Sequence, residues 1–378
     1  MSTPVTLEVI TDPAALDGLV DDWNDLLGRA AEPNVYLTPA WALAWWRTFA
    51  QGPRLQAGRS SLHVVAVRRG PILVALAPLL VARLGVGPAG VRVLMGIGQE
   101  NADFGGVLVD ADDPDAMGTL VDHLGREIGR GRTVLNLTRI EESSPFLAAL
   151  RAQLDDGAHR FRQEEHEAYP FLDLDAFDDP ERQIRKLLKR NDVPRRGRRL
   201  AETGEVAWVY QRPGASDEDL ASFLRLHDMR WEGRAPSGPF TSVPGRAFLA
   251  DAARGLDAAG HLRISFVTLD GVPIVGRFGT VFGGAYQGMK SGWDPAYKTF
   301  GPGHLVVGRL IEQALADGLH RFDFMRGAGD HKAAWTNQER QVGYWTIGRS
   351  GKLADVDHRL LWTALRLRYR ERGRPRAG

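Results

Sequence analysis

One stretch in the second half of the chain decides the fold prediction: YQGMKSGWDPAYKTFGPGHLVVGRLIEQALADGLHRFDFMRGAGDHKAAWTN, residues 286–337. It runs from a strand through Gly-Pro-Gly at 301–303 into an amphipathic helix, then through a second strand and a glycine-rich turn to the isolated Lys332. Unpaired N–H groups at the start of a helix attract anions, and strands that end beside such a helix border a cleft. The order therefore predicts a binding site for a phosphorylated ligand.

Length and composition indicate a globular protein with more than one core. A chain of 378 residues exceeds what one hydrophobic core usually organises, so we predict two domains or two fused halves. Hydrophobic residues make up 43% and charged residues 25%, as in typical soluble domains. Because the formal net charge is only +1, no molecule-wide field attracts nucleic acid or an anionic membrane, and DNA is not an expected partner.

Residue usage narrows the functional classes. The chain has no cysteine, which rules out disulfides, thiolate metal sites and a thiol nucleophile. The first residues lack the charged and apolar regions of a secretory signal. The longest apolar runs, such as 72–82, are far shorter than the ~20 residues that a membrane span needs. We therefore expect a cytoplasmic protein without a membrane span.

The two halves of the chain repeat one order of elements, which is the first thing to establish in a long sequence. Hairpins are predicted at 62–81 and at 261–281, the second with an Asp-Gly turn. Each hairpin is followed by a third strand, a glycine-containing turn, a helix and a short strand, with the helices near 114–130 and 304–317. The order β-β-β-α-β, occurring twice, predicts an α/β fold of two tandem halves.

We place the N-terminal half at 1–165 and the C-terminal half at 166–365, each a mixed β-sheet flanked by helices, the two packed into one body. A basic tail at 366–378 is expected to fray. Between 182 and 199 lie nine Lys and Arg residues with Asp192 as the one internal acid. Such a segment could bind a nucleotide or transfer RNA phosphates, or could be a solvated helix face. Both interpretations stay open at this point.

The sequence resembles the acetyltransferase domain of the GNAT superfamily, in the form found in cellulose-biosynthesis-type acyltransferases related to the Fem peptidoglycan aminoacyltransferases. The motifs that carry the resemblance are LHDMRW at 226–231, GWDP at 292–295, FGPG at 300–303, and FDF at 322–324 followed by RG and KAAW at 332–335. Weaker motifs in the first half are PAW at 39–41 and NADF at 101–104. The resemblance implies two GNAT-like halves, with an acyl donor bound mainly by the second.

The resemblance also implies where the donor binds. In GNAT folds two adjacent central strands diverge and the donor pairs with the exposed edge; here they would be 285–293 and 321–325. Acyl-coenzyme A is the expected donor, with Gly301, Gly303 and His304 at its phosphates. Gln287 on the diverging strand is a further donor-binding candidate. The Arg/Gln-x-x-Gly-x-Gly/Ala loop of ordinary coenzyme A users is absent, and Pro302 has no N–H group.

Three residues are the catalytic candidates. Lys332 matches the lysine of the family's closing motif and would steady charge on the donor or the developing oxyanion; the alternative is a surface lysine. Asp323 could orient the acceptor or hold Lys332, or could be a structural partner for Arg321 or Arg326. Asp103, in the first half, could take a proton from the acceptor, directly or through water. A helix-capping or turn role is its alternative.

Candidates for the acceptor groove come from a helix and from the third strand of the second half. His227 and Arg230 share a helix face at i, i+3, with Trp231 beside them. Tyr286 and Trp293 could form a wall of the cleft. Core packing explains the residues of the strand equally well, and a lone helical histidine such as His227 is more often structural. The histidines show no metal-ligand spacing such as H-x-x-x-H beside an acid, so no metal is assigned.

The predicted function is direct acyl transfer from an acyl thioester to an amine or hydroxyl of a small molecule or of an envelope or polysaccharide precursor. A covalent enzyme intermediate is not expected, because cysteine and a Gly-x-Ser-x-Gly motif are both absent. Two alternatives remain. One is aminoacyl transfer from charged transfer RNA, although the long helical hairpin of some Fem enzymes is missing. The other is a GNAT scaffold without catalysis.

Overall fold

The computed structural model describes residues 3–50, 60–84, 90–154, 157–211, 214–215, 217–232, 240–327 and 329–351. The predicted tail at 366–378 lies outside these described residues. By their contacts the residues separate into two compact units: unit 1 contains Met1–His166 and the chain from Gln341 onward, and unit 2 contains Glu167–Arg340. The C-terminal half was expected to extend to 365, but the strand after Gln341 belongs to unit 1, because it pairs there with a strand more than two hundred residues earlier.

Unit 1 is a mixed sheet with helices on it. Its strands lie in the order β1-β2-β3-β4-β6-β13, with β4 and β6 parallel and β5 paired to β3. The strands are β1 (Val5–Ile10), β2 (Ser61–Arg69), β3 (Ile72–Leu84), β4 (Val91–Gly96), β5 (Leu108–Val109), β6 (Thr133–Glu141) and β13 (Gln338–Arg349). The helices are α1 (Val20–Arg29), α2 (Pro39–Phe49), α3 (Pro114–Ile128) and α4 (Pro145–Leu154). β2 and β3 are almost continuously apolar and buried, as strands covered on both faces are.

Unit 2 repeats this plan. Its strands lie in the order β7-β12-β11-β10-β9-β8, with β11 and β12 parallel. The strands are β7 (His159–Asp173), which enters from unit 1, β8 (Val206–Gln211), β9 (Leu262–Leu269), β10 (Val272–Phe282), β11 (Ala285–Trp293) and β12 (Arg321–Asp323). The helices are α5 (Pro180–Arg190), α6 (Val193–Ala201), α7 (Asp217–Trp231), α8 (Val243–Ala258), α9 (Pro302–Ala316) and α10 (Asp330–Ala333).

Helix α9 is the element that positions the candidate site. Proline is its first residue, where the missing N–H costs nothing and the fixed φ suits a helix. Its apolar residues recur at helical spacing and are buried on the sheet: Leu305, Val306, Leu310, Ile311 and Ala314. The helix ends at Ala316, and Gly318, the residue after its C-cap, has a positive φ of 69° that a residue with a side chain rarely adopts.

The predicted repeat is confirmed. Unit 1 contains β2, β3, β4, α3 and β6 in that order, and unit 2 contains β9, β10, β11, α9 and β12. Each unit is a mixed α/β sheet flanked by helices, as the sequence predicts. Among the residues that the structure describes, no helix combines the length and apolar character needed to cross a membrane.

Candidate active site

The central strands of unit 2 separate after a short parallel ladder. β11 and β12 pair at three positions, the last being Gln287 with Asp323. β12 ends there, and the following Met325 takes a positive φ of 57° that turns the chain away. β11 continues to Trp293. From Gly288 onward its edge toward β12 therefore has no ladder with that strand, which is the divergence that the resemblance implied.

The start of α9 is bare. Gly301 precedes the helix with a φ of 62°, and no side chain caps the N-terminal N–H groups. The carbonyl of Gly301 accepts a bond from the His304 N–H at 2.9 Å, Pro302 has no N–H, and a Cβ added at Gly303 would meet no atom of the described residues within 4 Å. Glycine suits position 301, both because of its φ and because a Cβ there would displace the guanidinium of Arg196. The helix start is thus uncapped, and the Arg196 guanidinium lies close to it.

Helices α5 and α6 supply a basic surface beside this helix start. Of the nine Lys and Arg residues between 182 and 199, eight are exposed, and Arg196 is half-buried against Gly301. The guanidinium of Arg199 lies 5.5 Å from the ring centre of Phe300, in the 3-10 helix Pro295–Phe300 that leads to Gly301. The Nε of Arg196 has no hydrogen-bond partner among the described residues. This surface suits an anionic ligand.

His304 lies in the first turn of α9, with its ring centre 6.0 Å from that of Trp335. Its Nδ1 atom is buried and has no partner within the described part of the chain. Burial lowers the pKa of His304, and the nearby Arg196 and His331 lower it further. The imidazole is therefore neutral at pH 7, and its Nδ1 is free to bond a ligand.

The Lys332 ammonium binds backbone carbonyls of the segment that follows β12. Its Nζ donates to the carbonyls of Phe324 at 2.8 Å, Met325 at 3.1 Å and Arg326 at 2.6 Å. An ammonium has three donors, so these three bonds use all of them. The sequence placed this cation at the donor or the oxyanion. In the structure it instead fixes the turn that follows β12.

Asp323 is engaged within unit 2. Its side chain is 1% exposed, its Oδ1 accepts from the Met325 N–H at 2.8 Å, and its Oδ2 forms an ion pair with Arg340. Of the partners considered from the sequence, Arg326 pairs with Glu167 at 2.8 Å, and Arg321 stacks on Phe171. The expectation of Arg321 or Arg326 as the partner is wrong, because Arg340, close in space but distant in sequence, occupies that position.

Asp103 lies in unit 1, in the loop between β4 and β5. It is half-buried, and its Oδ2 accepts a hydrogen bond from the Tyr36 hydroxyl at 3.3 Å. The Tyr36 ring also contacts Trp41 edge-on, with ring centres 4.9 Å apart. This setting gives Asp103 a structural partner and leaves its proposed role as a base without a contact that supports it.

His227 and Arg230 on α7 have different surroundings. His227 is 3% exposed and packs among Phe223 and Phe240, and burial lowers its pKa to about 4. Arg230 donates to the Ser291 carbonyl at 3.0 Å and to its hydroxyl, and lies over the half-buried ring of Trp231. His227 is thus a core residue, and Arg230, about one turn further along α7, is bonded to β11.

The predicted site residues on β11 also differ in their surroundings. Tyr286 is 1% exposed and stacks on Phe322, with ring centres 4.9 Å apart. Gln287 is buried, and its Oε1 accepts from the Thr280 hydroxyl at 3.1 Å. Trp293, at the end of the strand, is half-buried against the core of unit 2. Gln287 therefore has a structural partner, while the Tyr286 hydroxyl is buried without one in the described residues.

Sequence reasoning missed two residues of this region. Arg277 on β10 is 8% exposed and donates through Nη2 to the carbonyl of Gly288 at 3.1 Å. His331 is exposed beside Lys332, and its pKa is lowered by burial and by Lys332, Arg230 and Arg277. His331 could have been found from its place in the closing motif. Nothing local marks Arg277, which looks like one of many arginines in the sequence.

Unit 1 contains a histidine and carboxylate cluster that the sequence did not reveal. His63 on β2 and His123 and Glu127 on α3 place potential ligand atoms within 4.8 Å of one another. Arg92 already forms an ion pair with Glu127, and its Nη2 lies 3.5 Å from the Nδ1 of His63. A guanidinium at this position opposes a second cation. We interpret the cluster as an ion-pair network with neutral histidines, since burial lowers the pKa of His63 to about 4.

Comparison with known proteins agrees with this architecture. Residues 188–333 match the family model of the acetyltransferase (GNAT) domain. Among solved structures, FemX superposes with a TM-score of 0.60 at 12% identity, covering 90% of this chain and 96% of its own. L-PGS from Bacillus licheniformis gives 0.52 at 13% identity, covering 93% of this chain and 96% of its own. No curated protein gives a significant match to the sequence.

Proposed function

We propose that the chain is an acyltransferase of the GNAT superfamily. Its unit 2 would transfer an acyl group from acyl-coenzyme A to an amine or hydroxyl. The acceptor would be a small molecule or an envelope or polysaccharide precursor. The observation that carries the proposal is the separation of β11 from β12 beside the uncapped start of α9. A strand edge without a partner and an anion-binding helix end are the two features that a pantetheine thioester with phosphates would use.

The donor phosphates would lie at the start of α9. The N–H of Gly303, the guanidinium of Arg196 and the free Nδ1 of His304 surround this position. Charge-assisted bonds from arginine to phosphate are stronger than neutral hydrogen bonds, and the helix dipole adds to them. The exposed Arg198 and Arg199 of α6 would attract the rest of the nucleotide.

Transfer would proceed in one displacement at the thioester carbonyl. The acceptor nitrogen or oxygen forms the new bond to the carbonyl carbon, the carbon–sulfur bond breaks, and coenzyme A leaves as a thiolate that takes up a proton. The acceptor proton passes to a base. No covalent enzyme intermediate is required, and the sequence contains no cysteine to form one.

His331 is our choice for the base, in place of the two carboxylates considered from the sequence. Asp323 is buried in an ion pair with Arg340, which stabilises its charged form and makes it a weak base. The residue His331 is accessible to solvent, while partial burial of its ring, followed by the neighbouring cations, lowers the pKa of the imidazole. The ring is therefore neutral and able to accept a proton at pH 7.

A thiol-release assay tests the proposal. The chain has no cysteine, so a thiol-reactive dye reports only coenzyme A that the reaction liberates. With a panel of amines and sugars, His331→Gln is expected to lower kcat about 100-fold, within the usual range for a general base. Titration calorimetry should show unchanged coenzyme A affinity for this variant.

The control and the pH profile make the test specific. In the wild type, kcat/KM should fall as the pH drops below the lowered pKa of His331, because the protonated ring cannot act as a base. His331→Gln should lose that dependence. Arg196→Gln should weaken coenzyme A binding, whereas Arg185→Gln on the exposed face of α5 should not. Failure of the wild type to bind any acyl-coenzyme A would reject the proposal and favour a GNAT scaffold without catalysis.

Aminoacyl transfer from charged transfer RNA is the second candidate. The exposed basic face of α5 and α6 favours it, because phosphate contacts by several cations are the usual basis of RNA affinity. This candidate predicts RNA binding that weakens steeply with salt and that is lost when Arg182, Arg185 and Lys186 are replaced by Gln. If only coenzyme A binds, and the triple variant leaves that binding intact, the transfer RNA candidate is rejected.

A further inference from the structure

Arg277 is a buried cation without a counter-ion. The residue is only 8% exposed, and its Nε atom is buried. Its Nη2 donates to the Gly288 carbonyl at 3.1 Å, the Tyr286 side chain is a further polar neighbour, and its Nε has no partner among the described residues. No ion pair joins it to a carboxylate anywhere in the described part of the chain. A buried, unpaired charge is costly unless something neutralises it.

The position of this guanidinium is at the divergence of the central strands. Gln287 is the last residue of β11 paired with β12, and Gly288, whose carbonyl Arg277 contacts, is the next residue. A Cβ at position 288 would overlap the guanidinium, so the glycine makes room for it. The cation therefore lies where the donor strand edge begins, which is where a transferred acyl group would lie.

A second unsatisfied donor accompanies it. The hydroxyl of Tyr286 is buried and has no hydrogen-bond partner in the residues that the structure describes. Burial raises the pKa of this phenol, so it keeps its proton and can donate. Glycine at 279 leaves space for the hydroxyl, since a Cβ there would come within 2.6 Å of it. Arg277 and Tyr286 also interact electrostatically, which places them together.

Neighbouring cations make the local charge positive. Arg230 is fixed to Ser291, which is the residue opposite Arg277 in the ladder of β10 and β11. His331 lies within the electrostatic range of both arginines. Lys332 is also close to His331, but its donors are occupied by carbonyls. Donors without acceptors, in a positive environment, are the complement of an oxyanion.

We propose that Arg277 and Tyr286 bind a carboxylate or phosphate group of the substrate, next to the acyl carbon that is transferred. The anion has two sources: the far end of a dicarboxylic acyl chain on the donor, or an acidic acceptor. The inference deepens the proposed function and rests on it. It narrows the substrates from acyl thioesters and amines in general to a pair of which one member carries an oxyanion close to the reacting group.

Two arms of one experiment separate the sources. In the donor arm, calorimetry compares acetyl-coenzyme A with malonyl- and succinyl-coenzyme A. In the acceptor arm, thiol release from acetyl-coenzyme A compares β-alanine with its amide, and phosphoethanolamine with ethanolamine. We expect the wild type to prefer the anionic member at least tenfold in one arm. Arg277→Gln should reduce that preference to about twofold or less, because the neutral amide cannot replace the charge-assisted bonds.

The control variant is Arg225→Gln. Arg225 on α7 is exposed and, like Arg277, donates to a backbone carbonyl, that of Pro273 at 3.1 Å. Its replacement removes the same charge and the same kind of bond but should leave the preference intact. If neither arm shows a preference in the wild type, or if the preference survives in Arg277→Gln, the inference is overturned.

A measurement on the wild type keeps the test valid if Arg277→Gln does not fold. The Nε–H resonance of the buried Arg277, assigned by comparison with Arg277→Lys, should shift in NMR spectra when succinate or inorganic phosphate is added. An unmoved resonance at saturating concentrations of both ions overturns the inference. Because these probes contain no coenzyme A, a shift without any coenzyme A binding would reject the proposed function while the oxyanion site stands.

Discussion

The two units have the same order of elements, but the N-terminus of the central helix is capped by a carboxylate in unit 1 and uncapped in unit 2. In unit 1, Asp113 caps α3: its carboxylate accepts the Ala116 N–H at 3.1 Å and pairs with Arg69 at 2.7 Å. In unit 2, Gly301 leaves α9 uncapped beneath Arg196. A carboxylate satisfies a helix N-terminus and repels other anions, whereas a bare one attracts them. Only the second arrangement suits a phosphorylated donor.

The two units also differ at the end of the central strand that precedes the helix, β4 in unit 1 and β11 in unit 2. In unit 1 the space after β4 is filled by Gln99, which accepts from the Gly96 N–H at 3.0 Å and donates to Asn136 at 3.1 Å. Arg139 then donates to the carbonyls of Gln99 and Ala102, both at 2.7 Å. In unit 2 the β11–β12 ladder ends at Gln287, so β12 does not cover the edge of β11 beyond that residue. The two units therefore share a fold but not a binding site, because a few side chains determine whether the space beside the central strands is filled.

The largest expected effect comes from giving unit 2 the cap of unit 1. Gly301→Asp places a carboxylate at the start of α9, and we expect acyl-coenzyme A affinity to fall about 100-fold, through repulsion of phosphate and displacement of Arg196. Gly301→Asn has the same size and tolerates a positive φ equally well, but it is neutral. Calorimetry on both variants isolates the charge. Equal affinities for the two would break the comparison, because sterics alone would then explain the loss.

A second effect, on stability rather than on affinity, concerns two buried histidines with a pKa of about 4, His63 in unit 1 and His227 in unit 2. Burial is the main cause in both, and Lys290, Arg230 and Arg246 add to it at His227, against Asp228. The unfolded chain binds the proton at an ordinary pKa of 6.5 and the folded chain only near 4. Stability is therefore complete above pH 6.5 and falls between pH 6.5 and 4, by about 3 kcal/mol for each histidine.

Replacing His227 by Phe should remove the contribution of His227, since the new ring packs in the same aromatic cluster and does not titrate. His261 and His304, whose pKa values burial also lowers, keep their contributions. Hydrogen exchange between pH 7 and pH 4 measures this, because it follows the amides of the two units separately. We expect α7 to lose its pH dependence and β2, which holds His63, to keep it. Unchanged behaviour of α7 would show that His227 is not the titrating group.

The smallest effect is the reverse substitution in unit 1. Asp113→Asn keeps a capping oxygen but loses the charged partner of Arg69, whereas Asp113→Ala loses both. We expect Asp113→Ala to lower the free energy of unfolding by about 1 kcal/mol, and Asp113→Asn by less. Denaturant unfolding measures the loss, and coenzyme A affinity should not change for either variant. A change in affinity would mean that the α3 N-terminus also contributes to donor binding.

Much of the fold could be predicted from local signals. The hairpins, the two central helices and the short strands after them follow from alternation, helical spacing and turn residues, and the structure confirms their order. The roles of Lys332 and Asp323 could not be found in this way. Their partners are carbonyls after β12 and Arg340, and side-chain pairing across distant segments leaves no periodic trace in the sequence.

The sequence by itself determined the repeated β-β-β-α-β order and the glycine before α9, because backbone conformation and apolar periodicity are local properties. The tertiary structure alone decided which charges are used up and which stay available. Lys332 and Asp323 find partners within unit 2, while Arg277 is buried without a carboxylate among the described residues. Electrostatic pairing depends on distances in space, which are set only when the strands and helices have packed.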